Sequence, residues 1–255
     1  MAIRNGRRWA AIGTALLLVA TFCHGARVMV PKLYGSIHEA AAAGDIAAVI
    51  GYLEKGASVN SKDAFDLPPL HRAAGGGHKE LAERLISWGA AVNAKDVNGR
   101  TPLHKTASLG HEDVAELLIT KGAAVNAQDG SGRTPLYDAA FYGQQGLAES
   151  VIAKGAEVNF RSLDGTPLHD AAFMGRLGIA ELLIAHGADL ETKNIDHETP
   201  LYAASGQGHK AAVEFLIAKG AKVNAKTKDG GTPLSWAVKR GHEDTAGLLR
   251  KHGAR

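Results

Sequence analysis

The sequence predicts an all-α solenoid of seven stacked helix–turn–helix repeats joined by short hairpin fingers. The first observation is a period: the third residue of a Thr-Pro-Leu-like segment recurs at intervals of 33 residues, with a single interval of 32. The second is that a glycine follows each of these residues at +7, and another glycine follows 12 residues later. Self-similarity of this length is typical of repeat folds, whose units stack to bury a continuous core. The recurring residues are Ile37, Leu70, Leu103, Leu136, Leu168, Leu201 and Leu234.

One repeat unit, residues 99–126, shows why each copy should form two short helices. Thr101 can cap the first helix, and Pro102 suits its first turn, where a missing N–H costs nothing. Gly110 allows the tight reversal between the helices, and Gly122 suits the left-handed conformation that ends the second helix. Because a lone helix pair cannot bury its own apolar stripe, the copies are expected to stack.

The motif inside the copies points to a known family. The segments RTPLHKTASLGH and GTPLHDAAFMG combine the 33-residue period with a T-P-L-H-x-A pattern, and the first copy, GSIHEAAAAGD, is a looser version. From about residue 33 to the end, the chain resembles an ankyrin-repeat protein. The resemblance implies helix pairs with projecting fingers, and recognition of a protein partner by the concave face and the finger tips.

Residues 1–26 precede the repeats and are interpreted as a secretory signal peptide. Three arginines come first, an uncharged apolar run extends from Trp9 to Phe22, and the small residues Gly25 and Ala26 follow. This order is typical of a signal peptide, with cleavage expected near Gly25 or Ala26. The predicted organisation is a signal peptide at 1–26, a lead-in at 27–35 and a repeat domain at 36–255, with the first and last repeats as caps.

Other interpretations of the N-terminal segment fit less well. A membrane span needs about 20 apolar residues, and Arg27 closes this run early. Cys23 could indicate a lipoprotein, but Phe22 before it is a poor fit to a lipid-attachment site. The Arg7-Arg8 pair is only a weak match to a twin-arginine signal. We therefore expect a periplasmic or secreted protein with no stable membrane insertion after signal cleavage.

The charge and the cysteine content limit the kinds of partner and the cellular compartment that we expect. The chain has 29 Lys and Arg against 26 Asp and Glu, but residues 1–26 carry three arginines and no acidic residue. The remainder is balanced, so it has no excess positive charge to attract a nucleic acid, and we expect none as a partner. The single cysteine, Cys23, lies in the predicted signal. An exported repeat domain without cysteine is more typical of a bacterial periplasm. We expect it to be monomeric.

Both end repeats depart from the pattern as caps are expected to do. The first copy lacks the Thr-Pro start, and Ser36 instead heads its helix with Glu39 at the spacing of a capping box. In the last copy, Arg250 stands where an internal repeat has Ile119. Since one side of a terminal repeat meets water, these changes predict a complete array capped at both ends.

The connectors between helix pairs are expected to form the fingers. Segments such as GAAVNAKDVNGRTP and GADLETKNIDHETP combine a short apolar step, a polar stretch and a turn. The connector NFRSLDGTP before Leu168 is one residue shorter than the others. This deletion should shorten one finger without disturbing the neighbouring helices, because connecting loops tolerate such changes.

No set of residues indicates catalysis, a metal site or a cofactor. Eight of the twelve histidines occupy two repeat positions, the fourth place of the T-P-L-H match and the place after the inter-helix glycine. By family analogy, the first set ties adjacent repeats together. Tyr137, Tyr202 and Ser235 replace that histidine in three copies, which a ladder of metal ligands would not tolerate. Ser108 lacks a G-x-S-x-G elbow, and the sequence contains no phosphate loop or dinucleotide fingerprint.

The positions that vary between copies predict the binding surface. The two residues before each inter-helix glycine should end the first helix on the concave side, and in the middle repeats they are mainly apolar. Phe141 and Phe173 could instead simply pack between neighbouring first helices. Contiguous exposed apolar side chains, however, usually mark an interaction site. The predicted strip consists of Leu109, Phe141, Tyr142, Phe173 and Met174. Its predicted rim, on the fingers, consists of Asn98, Arg100, Arg133, Leu163 and Ile195.

These observations predict a non-catalytic adaptor that binds a protein partner in an exported compartment. One alternative is an enzyme or small-ligand-binding protein with a cryptic site. Another is a secreted, host-directed effector, which differs from the adaptor in destination and not in mechanism. The capped array and the lack of any catalytic motif favour the adaptor.

The N-terminal pattern makes a prediction about processing. Intact-mass analysis of the protein from the cell envelope or the medium should show the loss of about 25 N-terminal residues. The cytosolic fraction of the same cells is the control. A full-length species confined to the cytosol would contradict export.

Overall fold

The computed structural model describes residues 33–255, and in this range it confirms the predicted all-α solenoid. Fourteen helices form seven helix–turn–helix pairs. The helices are Ile37–Ala42 (α1), Ile46–Glu54 (α2), Pro69–Gly75 (α3), Lys79–Ser87 (α4), Pro102–Leu109 (α5), Glu112–Thr120 (α6), Pro135–Tyr142 (α7), Gln145–Ala153 (α8), Pro167–Phe173 (α9), Leu177–Ala185 (α10), Pro200–Gly206 (α11), Lys210–Ala218 (α12), Pro233–Lys239 (α13) and Glu243–Lys251 (α14).

The predicted signal peptide, residues 1–26, and most of the lead-in lie outside the described residues. Among the helices of residues 33–255, none is long and apolar enough to cross a membrane. The expected export of the protein therefore depends on the sequence pattern alone.

The helix boundaries follow from local chemistry. Thr101 precedes α5 in an extended conformation, and its N–H donates to Nδ1 of His104 at 3.1 Å. Gly110 ends α5 with a left-handed φ of 79°, a conformation that other residues adopt only at a cost. At α1 the prediction was partly wrong: Ser36 accepts from the Glu39 N–H, but the Glu39 carboxylate accepts from Gly35, one residue before the cap.

The core runs through the whole array because each repeat buries its apolar residues against its neighbours. The first helices pack on one another in sequence order, and each second helix packs behind its own first helix. The largest fully buried aliphatic side chains are Leu70, Leu81, Leu85, Leu103, Leu118, Leu136, Leu147, Leu168, Leu183, Leu201 and Leu216. In the last repeat Thr245 is buried, whereas Arg250 is exposed, as expected for a polar outer side.

Histidines join several of the repeats to a neighbour. Nε2 of His104 lies 3.1 Å from the carbonyl oxygen of Arg133, and Nε2 of His169 lies 3.1 Å from that of Glu198. A carbonyl only accepts, so each Nε2 carries the proton and donates. The histidines after the inter-helix glycine point the other way along the array: Nε2 of His111 lies 3.0 Å from the carbonyl oxygen of Gly75. Both sets are explained by the architecture.

An asparagine ladder, which the sequence analysis did not predict, forms a second connection between repeats. The Asn93 side chain donates to the carbonyl oxygen of Gly122 at 3.0 Å and accepts from the N–H of Ala124 at 2.8 Å. The same two bonds recur at Asn60, Asn126, Asn159 and Asn224. In the remaining connector Glu191 accepts from the N–H of Lys222 at 2.8 Å. Each finger base is thereby fixed to the following repeat.

The fingers are held in shape by hydrogen bonds to their own side chains and by hydrogen bonds between adjacent fingers. Oδ1 of Asp96 accepts from the N–H groups of Asn98 and Arg100, both at 2.9 Å. In the shortened connector, the Ser162 N–H donates to the carbonyl oxygen of Gly165 at 2.8 Å. Oη of Tyr137, the residue in place of histidine, donates to Phe160 at 2.7 Å. Helix α9 still begins at its proline, like α5, α7, α11 and α13.

Stacking of the repeats predicts a contrast between two leucine substitutions. Leu118→Ala should lower the free energy of unfolding by about 2–5 kcal/mol, because the side chain is fully buried between repeats. Leu109→Ala is the matched control and should change it by no more than about 0.5 kcal/mol, since that side chain is exposed. Urea unfolding followed by circular dichroism measures both. Equal losses would contradict this packing.

Candidate functional site

A pocket opens on the finger side of the middle repeats, and we call it the finger pocket. Its volume is about 370 Å³, within the range of about 300–1,000 Å³ that is common for ligand pockets. Helices α7, α9 and α11 form its floor, and two adjacent fingers, residues 160–166 and 193–199, form its sides. The lining residues are Arg133, Phe141, Leu163, Asp164, His169, Asp170, Phe173, Asn194, Ile195, Asp196, Glu198 and Ala203.

The apolar part of the finger pocket is open to solvent. Leu163 is 65% exposed, Ile195 is 54% exposed and Phe173 is 43% exposed. Phe141 is half-buried, and its ring meets that of Tyr142 edge-on, with centroids 5.1 Å apart. The two phenylalanines therefore differ: Phe141 forms part of the floor, whereas Phe173 presents its ring to the opening. Exposed apolar residues that converge in this way are typical of an interaction site.

Ion pairs between repeats lie beneath this surface. One Nη of Arg133 lies 3.0 and 3.1 Å from the two carboxylate oxygens of Asp170. The guanidinium carbon of Arg133 is also 5.8 Å from the ring centroid of Phe141, within cation–π range. One repeat earlier, Arg100 donates to Asp138 at 2.7 Å. Each arginine thus precedes one first helix and pairs with the next, which adds to the cross-repeat bonds of the histidines.

Burial shifts the titration of these groups. It raises the pKa of Asp138 to about 6 and the pKa of Asp170 to about 7, while the facing guanidinium groups act in the opposite direction. Burial also lowers the pKa of His169 to about 4, so this ring is neutral at physiological pH. The formal charge of the pocket at neutral pH therefore comes from its carboxylates and Arg133.

Five of the ten predicted site residues meet in the finger pocket, and five lie elsewhere. Those that line it are Arg133, Phe141, Leu163, Phe173 and Ile195. Leu109 and Tyr142 are exposed outside it, and Met174 is half-buried. Asn98 is exposed on an earlier finger, where its carbonyl oxygen accepts from the Gly130 N–H. The Arg100 side chain is occupied by Asp138.

The acidic residues of the pocket were not among the predicted site residues. Asp164 and Asp196 are largely exposed on the two fingers, and Glu198 lies near the base of the second. A search of the finger segments for charge would have found all three, because they occur in adjacent connectors next to Leu163 and Ile195. What the sequence could not show is which of these carboxylates are already paired.

A larger depression of about 640 Å³ lies between the second helices of the first two repeats, where Trp88 and aliphatic side chains line it. Within residues 33–255, no group of three or more His, Cys, Asp or Glu side chains is arranged to hold a metal ion.

Comparisons with known proteins agree with this architecture. Three copies of a family model described as ankyrin repeats match residues 37–129, 126–194 and 190–255. No curated protein matches the sequence. The crystal structure of the human ASB11 ankyrin repeat domain is similar, with a TM-score of 0.76 and 28% identity, over 85% of this chain and 98% of that one. The chain belongs to the ankyrin repeat family.

Proposed function

We propose that this chain is a non-catalytic module that binds a protein partner in the finger pocket. Ankyrin repeats are generally protein–protein interaction modules, and the family match spans nearly all the described residues. The observation that carries the proposal is the convergence of Leu163, Phe173 and Ile195, three exposed apolar side chains from two fingers and a first helix. Apolar and aromatic anchors of this kind supply most of the energy of protein interfaces.

The backbone around the pocket is ordered before any partner arrives. The Ile195 N–H donates to the carbonyl oxygen of Leu163 at 3.2 Å, which joins the two fingers. Oδ1 of Asn194 accepts from the N–H groups of Asp196 at 3.0 Å and Glu198 at 2.9 Å. A preorganised site loses less conformational entropy on binding than a mobile one. This order favours recognition of a partner on a fixed surface.

Among the described residues, the raised pKa values of Asp138 and Asp170 would favour catalysis, since perturbed carboxyl groups also occur in active sites. Both carboxyl groups are buried, and each is occupied by an arginine. This arrangement gives a substrate little access to either of them. It supports a structural role for the two ion pairs beneath a binding surface.

We further propose that the protein acts in the periplasm or outside the cell, as a monomer. The support is the order of arginines, apolar run and small residues within positions 1–26, together with the absence of cysteine after position 23. An exported adaptor and a host-directed effector would share the same binding surface and differ in where the partner resides.

A photo-crosslinking experiment tests the binding proposal. A photoreactive amino acid at Leu163 of the full chain, expressed in the producing cells, should yield a discrete protein adduct. The same amino acid at Lys154, exposed at the end of a second helix, is the positional control and should not. The identified partner should then bind the Phe173→Ala variant about 30-fold more weakly, because truncation of a central aromatic anchor costs about 2 kcal/mol.

Leu109→Ala is the matched substitution for this measurement, since Leu109 is exposed but lies outside the pocket. It should bind with unchanged affinity, and both variants should keep the melting temperature of the parent. Absence of an adduct at Leu163, or undiminished binding by Phe173→Ala, would contradict the proposed site.

A further inference from the structure

We propose that the finger pocket selects a linear peptide segment in which an apolar side chain is flanked by lysine or arginine. This inference rests on the proposed function and specifies the chemistry of the partner. It follows from three features of the pocket: the charge of its lining, the availability of two of its carboxylates and the shape of its apolar surface.

The lining of the pocket is strongly acidic, although the repeat domain as a whole is nearly balanced. Four of the lining residues carry carboxyl groups and one is a cation, Arg133. Asp170, whose pKa burial raises to about 7, is only partly ionised at neutral pH, so the net charge of the lining comes mainly from the other three. The single lining histidine, His169, donates through Nε2 to Glu198 O and accepts at Nδ1 from the Thr166 N–H. It therefore contributes no positive charge. An occupant that carries positive charge is favoured over an acidic one by the potential of this lining.

Two of the four carboxylates are already occupied. Asp170 is buried and bound by Arg133. Glu198 accepts a hydrogen bond from the side-chain amide of Asn194 at 2.8 Å. Arg133 is engaged as well, because its two nearest carboxylates are Asp170 and, at 3.5 Å, Asp164. The cation of the pocket is thus held in place by the protein itself.

The other two carboxylates keep exposed oxygens for a ligand, although Asp164 also forms an ion pair at 3.5 Å with Nε of Arg133, which makes no hydrogen bond to it. The side chains of Asp164 and Asp196 are 64% and 69% exposed. Lys228 approaches Asp196 only to 4.0 Å, and an exposed pair at this distance contributes little. Asp164 follows Leu163 and Asp196 follows Ile195, so each finger presents one apolar side chain beside one carboxylate. The two fingers together form an apolar opening between two negative charges.

The shape of the surface favours a peptide over a small molecule. Pockets for small molecules enclose most of the ligand surface, but the apolar walls here are about half exposed. A peptide can insert one apolar side chain and place its neighbouring cations on the two fingers. Its chain can continue along the exposed end of helix α7, where Tyr142 lies in the preceding repeat.

The test is a fluorescence anisotropy titration of the full chain with four labelled synthetic nonapeptides. They share a Gly-Ser background and carry, at the three central positions, Lys-Phe-Lys, Ser-Phe-Ser, Glu-Phe-Glu or Lys-Ser-Lys. Lys-Phe-Lys should bind at least tenfold more tightly than Glu-Phe-Glu and Lys-Ser-Lys, with Ser-Phe-Ser between them. Raising the salt concentration should narrow these differences, because exposed charges are screened.

Two double variants test which carboxylates cause the preference for the positively charged peptide. Asp164→Asn with Asp196→Asn should reduce the preference for Lys-Phe-Lys over Glu-Phe-Glu to less than threefold. Asp229→Asn with Glu214→Gln removes the same charge from exposed positions outside the pocket, and should keep the preference.

The outcomes separate this inference from the proposed function. Equal binding of the Lys-Phe-Lys and Glu-Phe-Glu peptides would overturn the charge selectivity, and equal binding of Lys-Ser-Lys would overturn the apolar anchor. No binding of any peptide, together with an adduct at Leu163 in cells, would overturn the linear-peptide inference while the binding function stands. If no peptide binds and Leu163 gives no adduct in cells, both proposals are overturned.

Discussion

The rest of the structure depends on the register between adjacent repeats. Each helix pair is too small to bury its own apolar face, so its leucines and alanines become a core only when the next pair stacks on it. Hydrogen bonds then fix that stacking at two levels. In four repeats a histidine joins the first helix to the next finger, and in five connectors an asparagine joins the connector to the end of the following second helix. These bonds satisfy polar groups that the stacking would otherwise leave unpaired.

Because the register between repeats is fixed, residues that are distant in the sequence can form one site. Leu163 and Ile195 belong to different fingers. They meet because the Ile195 N–H donates to the carbonyl oxygen of Leu163, and because each finger is bonded to the preceding first helix, by Tyr137 in one case and by His169 in the other. The middle repeats add two arginine–aspartate pairs that cross from one repeat to the next, and one of them, Arg133 with Asp170, lines the pocket. Removing one partner of such a buried pair is costly, because the remaining charge then has neither a counterion nor water to stabilise it. Variation of the exposed side chains around this frame can therefore change specificity without changing the fold.

The repeat architecture could be predicted from the sequence because a 33-residue period constrains every copy at once. Phe173 and Ile195 could be placed on the same face for the same reason, since their positions in the period fix which way they face. The environment of Phe141 could not be predicted. It depends on Arg133, which a buried carboxylate draws beneath the ring, and that contact joins residues of different repeats. Which carboxylates of the fingers are free and which are paired could not be predicted for the same reason.

The central claim is that inter-repeat bonds hold the fingers in place and so preform the pocket. Amide hydrogen exchange of the full chain, followed by NMR, tests it most directly. The N–H of Ile195 donates to the preceding finger, and the N–H of Asp189 donates to Asn159 of the preceding repeat. Both amides should be protected to an extent comparable with the helices of the middle repeats. Exchange of these two amides at the rate of an unstructured chain, with the helices still protected, would contradict a preformed pocket.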